Sequence, residues 1–352
     1  MRVPAVTVGV PTSVATASVY GSGAFGRAVA GLLAASGHRI KLVGDNHVVP
    51  QDCDLWTQSR THFSGTISID AASDLAECRN SDVMVVAVPA TEYGAVAEDL
   101  ANFMSSGQTV FIVGAAFGAS LEIARIIEQS RQDLSLNLIE TAQPFAHYEA
   151  DGQTVRIAGA KDRLAIAGRS LNETRAGLAA GSMIFAGVEP ASNIIDRAFA
   201  DVDRWLETAA ILFNAFDRSP LPMGTAPDGI DLLDFSPTDN TNVVLAALRT
   251  EIEVLGKAYG VRRKEPSRPF DARGWRASSL DWRRELAVRV IEEFVILSSL
   301  ARLCYMAVPM IDTVIELSTM LTQKDLRKEA RQLSDIGLIG MDAREIIEHV
   351  NA

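Results

Sequence analysis

Two textures divide the chain. Through the first half, short apolar runs alternate with helically spaced stretches: residues 17–20, 39–43, 81–90, 108–114 and 134–139 read as strands. Their Val- and Ile-rich character, with helical segments between them, predicts an α/β fold with a parallel, doubly wound sheet of Rossmann type. Pro89 is expected to end its strand at the sheet edge, and residues 154–159 and 164–168 read as closing strands. After Gly187-Val-Glu-Pro190 the spacing changes. Apolar residues now recur at three and four positions, in Ile194, Ile195, Phe199, Val202 and Leu206, then over 243–259, 281–307 and 310–321. That periodicity predicts long helices and an all-α C-terminal domain. The sequence therefore divides into a dinucleotide-binding domain over 1–188 and a helical substrate and dimerisation domain over 189–352. Residues 218–240 and 262–279, rich in Pro, Gly, Asp or Arg, read as the main loops.

A length of 352 residues exceeds what one core usually serves, which supports two domains. The formal net charge of −11 argues against a nucleic-acid partner, since phosphate binding needs a positive surface. Cys53, Cys78 and Cys304 have no metal-ligand spacing, so no metal site is expected and the thiols read as reduced, in a cytoplasmic protein. Residues 1–13 lack the charged-then-apolar order of a signal peptide and read as a loose extension. The apolar region 286–321 resembles a membrane span only at first sight. Arg289, Glu292, Glu293, Arg302, Asp312 and Glu316 break every window of about 20 residues.

The first strand enters Gly21-Ser22-Gly23-Ala24-Phe25-Gly26 and leaves as a helix. Glycine at 21 permits a tight turn, at 23 a close backbone approach to a pyrophosphate, and at 26 close helix–strand packing. Asp45, after Gly44 at the end of the second strand, stands where an acid would hold a ribose hydroxyl. Ligands of such sheets lie at the carboxyl ends of the strands. That places Val88, Pro89 and Ala90, then Gly114, then Glu140 and Thr141, along a crevice for cofactor and substrate. NAD and NADP remain open, although Asp45 favours NAD.

The stretch Val308-Pro-Met-Ile-Asp-Thr-Val-Ile-Glu-Leu317, with residues 325–333 and 336–340, resembles the closing signature of the octopine/nopaline (opine) dehydrogenase family. Glu251, Lys257-Ala-Tyr-Gly-Val261, Glu140-Thr141 and Pro144-Phe-Ala146 extend the resemblance across the chain. It implies an NAD(P)H-dependent oxidoreductase that reduces the imine formed from an amino acid and an α-keto acid, and a homodimer built through the helical domain. Such chemistry needs a positioned hydride donor, exclusion of water and a proton donor. In the family a His on the first helix of the second domain, held by an Asp, supplies the last. This chain departs there: its histidines are His38, His47, His62, His147 and His349, Asp196 aligns with the family His, and Val288-Arg289 with the Asp.

Three readings stay open. In one, Asp196 acts as the acid, with Arg289 as partner, on an imine formed from the two substrates or on a preformed or cyclic one. Alternatively, His147 or Tyr148 supplies the proton. In the third, Asp196, Asp201 and Asp203 form a solvated helix face on a catalytically silent nucleotide-binding sensor or scaffold. Lys257 and Arg283, the latter grouped with Arg273, Arg276 and Arg284 around Trp275 and Trp282, are candidate anchors for substrate carboxylates.

Overall fold

The computed structural model describes residues 14–44, 48–59, 61–217, 221–225, 231–234, 238–262, 276–278 and 282–351. The chain forms two compact units, Met1–Arg197 with Val350–Ala352, and Ala198–His349. The first unit thus runs beyond the change of texture at 188: residues 188–190 pair as a strand with residues 164–166, and the Arg197 side chain is bound within the same unit.

The first unit contains β1 (Thr16–Tyr20), α1 (Ala24–Ala35), β2 (Arg39–Val43), β3 (Asp52–Thr57), β4 (His62–Thr66), β5 (Ile69–Ala72) and β6 (Val83–Val86). It continues with α2 (Tyr93–Phe103), β7 (Thr109–Ile112), α3 (Ala119–Ser130), β8 (Asn137–Thr141), β9 (His147–Asp151), β10 (Thr154–Ala160), β11 (Leu164–Gly168), α4 (Leu171–Ile184), β12 (Val188–Pro190) and α5 (Ile194–Ala198). The main sheet has the order β12-β11-β8-β7-β6-β1-β2-β5. From β5 to β8 every pair is parallel, in the doubly wound order with a switch point between β1 and β6. The apolar runs foreseen in the sequence are its central strands; all four residues of β6 are buried, because helices cover both faces.

Two expectations change. Pro89 does not lie at a sheet edge: β6 runs between β1 and β7, and Pro89 caps a 3-10 turn, Ala90–Glu92, past its end. Residues 154–159 do not close the main sheet either. As part of β10 they pair in parallel with β3 and antiparallel with β9, giving a second sheet of order β4-β3-β10-β9. That sheet packs on α1 so closely that a Cβ on Gly31 would collide with Cγ2 of Val155.

The second unit contains α6 (Val202–Asp217), β13 (Leu221–Thr225), β14 (Asp231–Asp234), α7 (Asp239–Ala258), β15 (Arg276–Ser278), α8 (Trp282–Arg289), α9 (Val295–Leu303), α10 (Pro309–Thr322), α11 (Leu326–Glu329) and α12 (Ala343–Val350). It is helical, as expected, but not all-α: β13, β14 and β15 form a small antiparallel sheet. A 3-10 turn, Phe199–Asp201, precedes α6, and a π turn, Val290–Phe294, joins α8 to α9. Among the described residues no helix is long and apolar enough to cross a membrane.

Candidate functional site

The sequence packs Gly21, Gly26 and Gly44 around the start of α1. Gly21 sits at φ +123°, donates its N–H to Val43 O at 3.0 Å, and has no room for a Cβ beside Ala87 O. A Cβ on Gly26 would overlap Gly21 O, and one on Gly44 would overlap the Ser22 side chain. Gly23 differs. Its φ of −65° suits any residue, and a Cβ there would meet nothing within 4 Å. The protein's own packing therefore does not require glycine at 23, whereas a ligand approaching the backbone there would.

Beyond Gly23 the first turn of α1 carries no acidic residue, and its N-cap makes no side-chain hydrogen bond. Its leading N–H groups and the positive end of the helix dipole are thus left for an anion. Gly23 and Ala24 are exposed, and Ser22 and Phe25 half-buried, at this mouth. The cradle fits a dinucleotide pyrophosphate. Asp45 lies outside the described residues.

Around the cradle, Val88 and Ala90 are buried and Pro89 is exposed past the end of β6. Glu92, in the same turn, has its carboxyl pushed up by burial, a feature the sequence did not flag. Gly114, at φ +59°, lets β7 end against Phe25: a Cβ there would stand 2.9 Å from Phe25 Cζ. Phe25, Phe145 and Tyr148 form an aromatic trio with centroids 5.4–5.6 Å apart. Tyr148 shares its register position with buried Ile157 and so faces α1, whereas His147, opposite Ala158, points to the other side of its sheet. Of those two sequence candidates, the structure brings Tyr148 to the glycine turn.

Glu140 and Thr141 are fully buried. Glu140 Oε1 accepts hydrogen bonds from Ser120 N and Oγ at 2.9 and 2.8 Å, and its Oε2 is paired with Arg197. Arg197 also donates to Ala115 O and Ala116 O, at 2.7 and 3.3 Å. Glu140 is thus occupied in tying β8, α3 and α5 together rather than lining an open crevice. Thr141 spends its hydroxyl on Ala142 O, at 2.8 Å. Arg197 was missed in the sequence, where nothing distinguishes it from a surface arginine.

Asp196 is buried at the start of α5. Its Oδ2 accepts from Ser192 N while its own N–H donates to Asn193 Oδ1, both at 2.9 Å, a reciprocal cap. The three aspartates are not one solvated face: Asp196 and Asp201 are buried, and only Asp203, paired with Arg249 at 3.1 Å, is exposed.

In the second unit Arg289 bridges Glu285 at 2.9 Å and Glu207 at 3.3 Å. Arg204 reaches the buried Glu292 and Glu293 of the π turn, at 2.8 and 3.7 Å. The sequence signal for this network was the Glu292-Glu293 pair inside an apolar run. Lys257 is exposed on the last turn of α7; Arg283 is exposed on α8, its guanidinium 4.6 Å from the ring centre of Trp282. Arg273 and Trp275 lie outside the described residues. No cluster of three or more His, Cys, Asp or Glu suited to a metal ion occurs among the described residues.

Residues 16–138 match the family described as NAD-dependent glycerol-3-phosphate dehydrogenase N-terminus. The chain is 24% identical over 293 residues to the opine dehydrogenase of Arthrobacter sp. (strain 1C), covering 76% of this chain and 78% of that one. Its fold is similar to that of octopine dehydrogenase, solved with NADH and L-arginine: TM-score 0.62, 14% identity, 95% of this chain and 98% of the other. Yersinopine dehydrogenase gives a TM-score of 0.60 at 14% identity, over 96% and 97% of the two chains. A PanE/ApbA family ketopantoate reductase from Ralstonia eutropha JMP134 gives 0.59 at 18%, over 88% and 99%.

Proposed function

We propose that this opine dehydrogenase-like, NAD(P)-dependent oxidoreductase reduces the C=N bond of an imine. The imine is one formed from an amino acid and an α-keto acid, or supplied preformed. The observation that carries the reading is the open cradle at Gly23 before an uncapped helix N-terminus, in a chain with opine dehydrogenase likeness over both units.

A bound nicotinamide cofactor supplies the hydride. The first-turn N–H groups of α1, with Gly21, Ser22, Gly23, Ala24, Phe25 and Gly26, would hold its pyrophosphate, and Val88, Pro89, Ala90 and Gly114, at the strand ends, would line the cofactor crevice. Tyr148 donates the proton to the imine nitrogen. Its ring lies 5.4 Å from that of Phe25 in the glycine turn, and a phenol both donates and accepts. Asp196 caps α5, Arg289 is paired with Glu285 and Glu207, and His147 lies on the other side of its sheet from Tyr148. Lys257 and Arg283, exposed cations of the helical unit, are suited to substrate carboxylates. The enzyme works as a homodimer through that unit, in the cytoplasm, where free thiols such as Cys53, Cys78 and Cys304 stay reduced.

Three variants test the reading. Gly23→Val fills the open space with no clash against protein atoms, so calorimetry is expected to show lost NADH affinity with an intact fold. Tyr148→Phe is expected to lower kcat by about 10²–10⁴-fold at near-normal NADH affinity, while Asp196→Asn retains turnover. Unchanged NADH affinity in Gly23→Val removes the cradle assignment. Full activity in Tyr148→Phe with loss in Asp196→Asn returns the acid role to Asp196.

A further inference from the structure

The helix α1 carries a cation where its own dipole disfavours one. Arg27 is the fourth residue of α1, within a turn of the end at which the macrodipole is positive. Among the described residues it makes no ion pair. Its donors go to main chain instead: Nη1 to Gly152 O at 2.9 Å and Nη2 to Ala150 O at 3.3 Å. The buried Nε meets no acceptor among the described residues, so these two carbonyls are what the guanidinium holds.

Both carbonyls belong to one β-hairpin. Asp151 pairs with Thr154, so Gly152 and Gln153 make the two-residue turn between β9 and β10, with Gly152 at φ +50°. β9 is the edge of its sheet, and an edge strand presents carbonyls that have no ladder partner. Arg27 supplies the missing donors. Tyr148 stands two residues before Ala150, on the same face of β9, and its ring lies 5.4 Å from that of Phe25, two residues before Arg27 on α1. The hairpin therefore meets the helix both ring on ring and carbonyl on guanidinium. The ring contact is apolar and loosely directional, whereas the planar fork fixes distance and direction.

We propose that Arg27 is the positioning residue for proton transfer: by holding Ala150 O and Gly152 O it fixes the β9–β10 hairpin on α1, so that the Tyr148 phenol and the glycine turn keep one geometry. The proposal rests on Tyr148 as the proton donor of the proposed function and says what sets that phenol in place. Without the guanidinium the two carbonyls turn to water, and the hairpin pivots about the contact between Tyr148 and Phe25. The hydroxyl, at the far end of the ring, moves most. A misplacement of about 1 Å costs about 10²-fold in rate. Lysine does not replace Arg27, because an ammonium is a single point of charge that cannot hold two carbonyls in a fixed fork.

Steady-state kinetics of the full chain tests this, on the amino acid and α-keto acid pair, or cyclic imine, that the wild type turns over fastest, with NADH affinity by calorimetry. Arg27→Ala is expected to lower kcat roughly 10–10²-fold with NADH affinity within about 2-fold of wild type. Millimolar guanidinium is expected to restore part of that loss, and Arg27→Lys to stay low. Joined to Tyr148→Phe, Arg27→Ala is expected to cost nothing further, since it acts through the group already removed. Amide hydrogen exchange over residues 147–157 is expected to rise in Arg27→Ala while that over residues 109–112 stays at the wild-type rate. Wild-type kcat in Arg27→Ala, additive losses in the double variant, or kcat and NADH affinity that fall together would overturn the proposal and leave imine reduction standing. Full activity in Tyr148→Phe is a different failure: it removes the proton donor, and the positioning role with it.

Discussion

Arg197→Met is expected to be among the most destabilising single changes outside the apolar core. Arg197 is 1% exposed and its partner Glu140 is 0% exposed. The substitution keeps an unbranched apolar side chain but removes the guanidinium that neutralises Glu140 and satisfies the carbonyls of Ala115 and Ala116. Ser120 would remain the described donor to the stranded carboxylate. Breaking a buried pair from one side costs about 3–5 kcal/mol, whereas replacing both partners by apolar residues is often close to neutral. Arg197→Met with Glu140→Leu is therefore expected to be at least ~2 kcal/mol more stable than the sum of the single changes. Urea unfolding of the four proteins gives the cycle, and amide hydrogen exchange over residues 119–130 and 137–141 locates the loss at α3 and β8. An Arg197→Met protein within about 1 kcal/mol of wild type, with additive changes in the double variant, would refute the claim that this pair fastens α5 to the sheet.

Gly26→Ala is expected to abolish nucleotide binding by deforming the turn itself, because its Cβ would overlap Gly21 O; the loss appears in thermal unfolding as well as in calorimetry, unlike that of Gly23→Val. Side-by-side fluorescence titration is expected to show NADH binding at least as well as NADPH, since Asp45 would oppose a 2′-phosphate, and a strong NADPH preference would remove that role from Asp45. Acid stability carries a signature at Asp312. Burial pushes its carboxyl up, but hydrogen bonds from Arg327 and Ser298 outweigh it and hold it below the ordinary value. A depressed folded value means stabilisation that is present above the unfolded value of about 3.9 and is lost as pH falls through the folded one. Asp312→Asn is expected to flatten that acid limb, by less than ~1 kcal/mol because the pair is partly exposed.

The parts of this fold that were legible are those fixed by local rules. Gly21, Gly23 and Gly26 announce themselves because a strand, a tight turn and a helix meet within a few residues, and β6 and β7 because strands covered on both faces must be apolar. The second sheet was not legible: residues 154–159 carry a strand pattern, but a pattern does not name its partner, and β10 finds β3 across about a hundred residues, Thr154 opposite Asp52. The same holds for Arg197 and Glu140, 57 positions apart. Asp196 shows the converse limit. Its alignment with a catalytic position was readable, but the cap it makes with Ser192 and Asn193 depends on backbone geometry that residue type does not encode. In the helical unit, Pro-, Gly- and Asp-rich text read as loop conceals β13 and β14, since short strands in such text lose their alternation.

The most direct test of the central claim is NADH oxidation by the purified protein across pairs of amino acids and α-keto acids, cyclic imines included, with mass spectrometry of the product. The account predicts at least one pair, or one imine, for which NADH loss and secondary-amine formation rise together, and that both vanish in Gly23→Val. Reduction of a keto acid to its hydroxy acid regardless of the amine, or tight NADH binding with no turnover on any pair or imine, would contradict it.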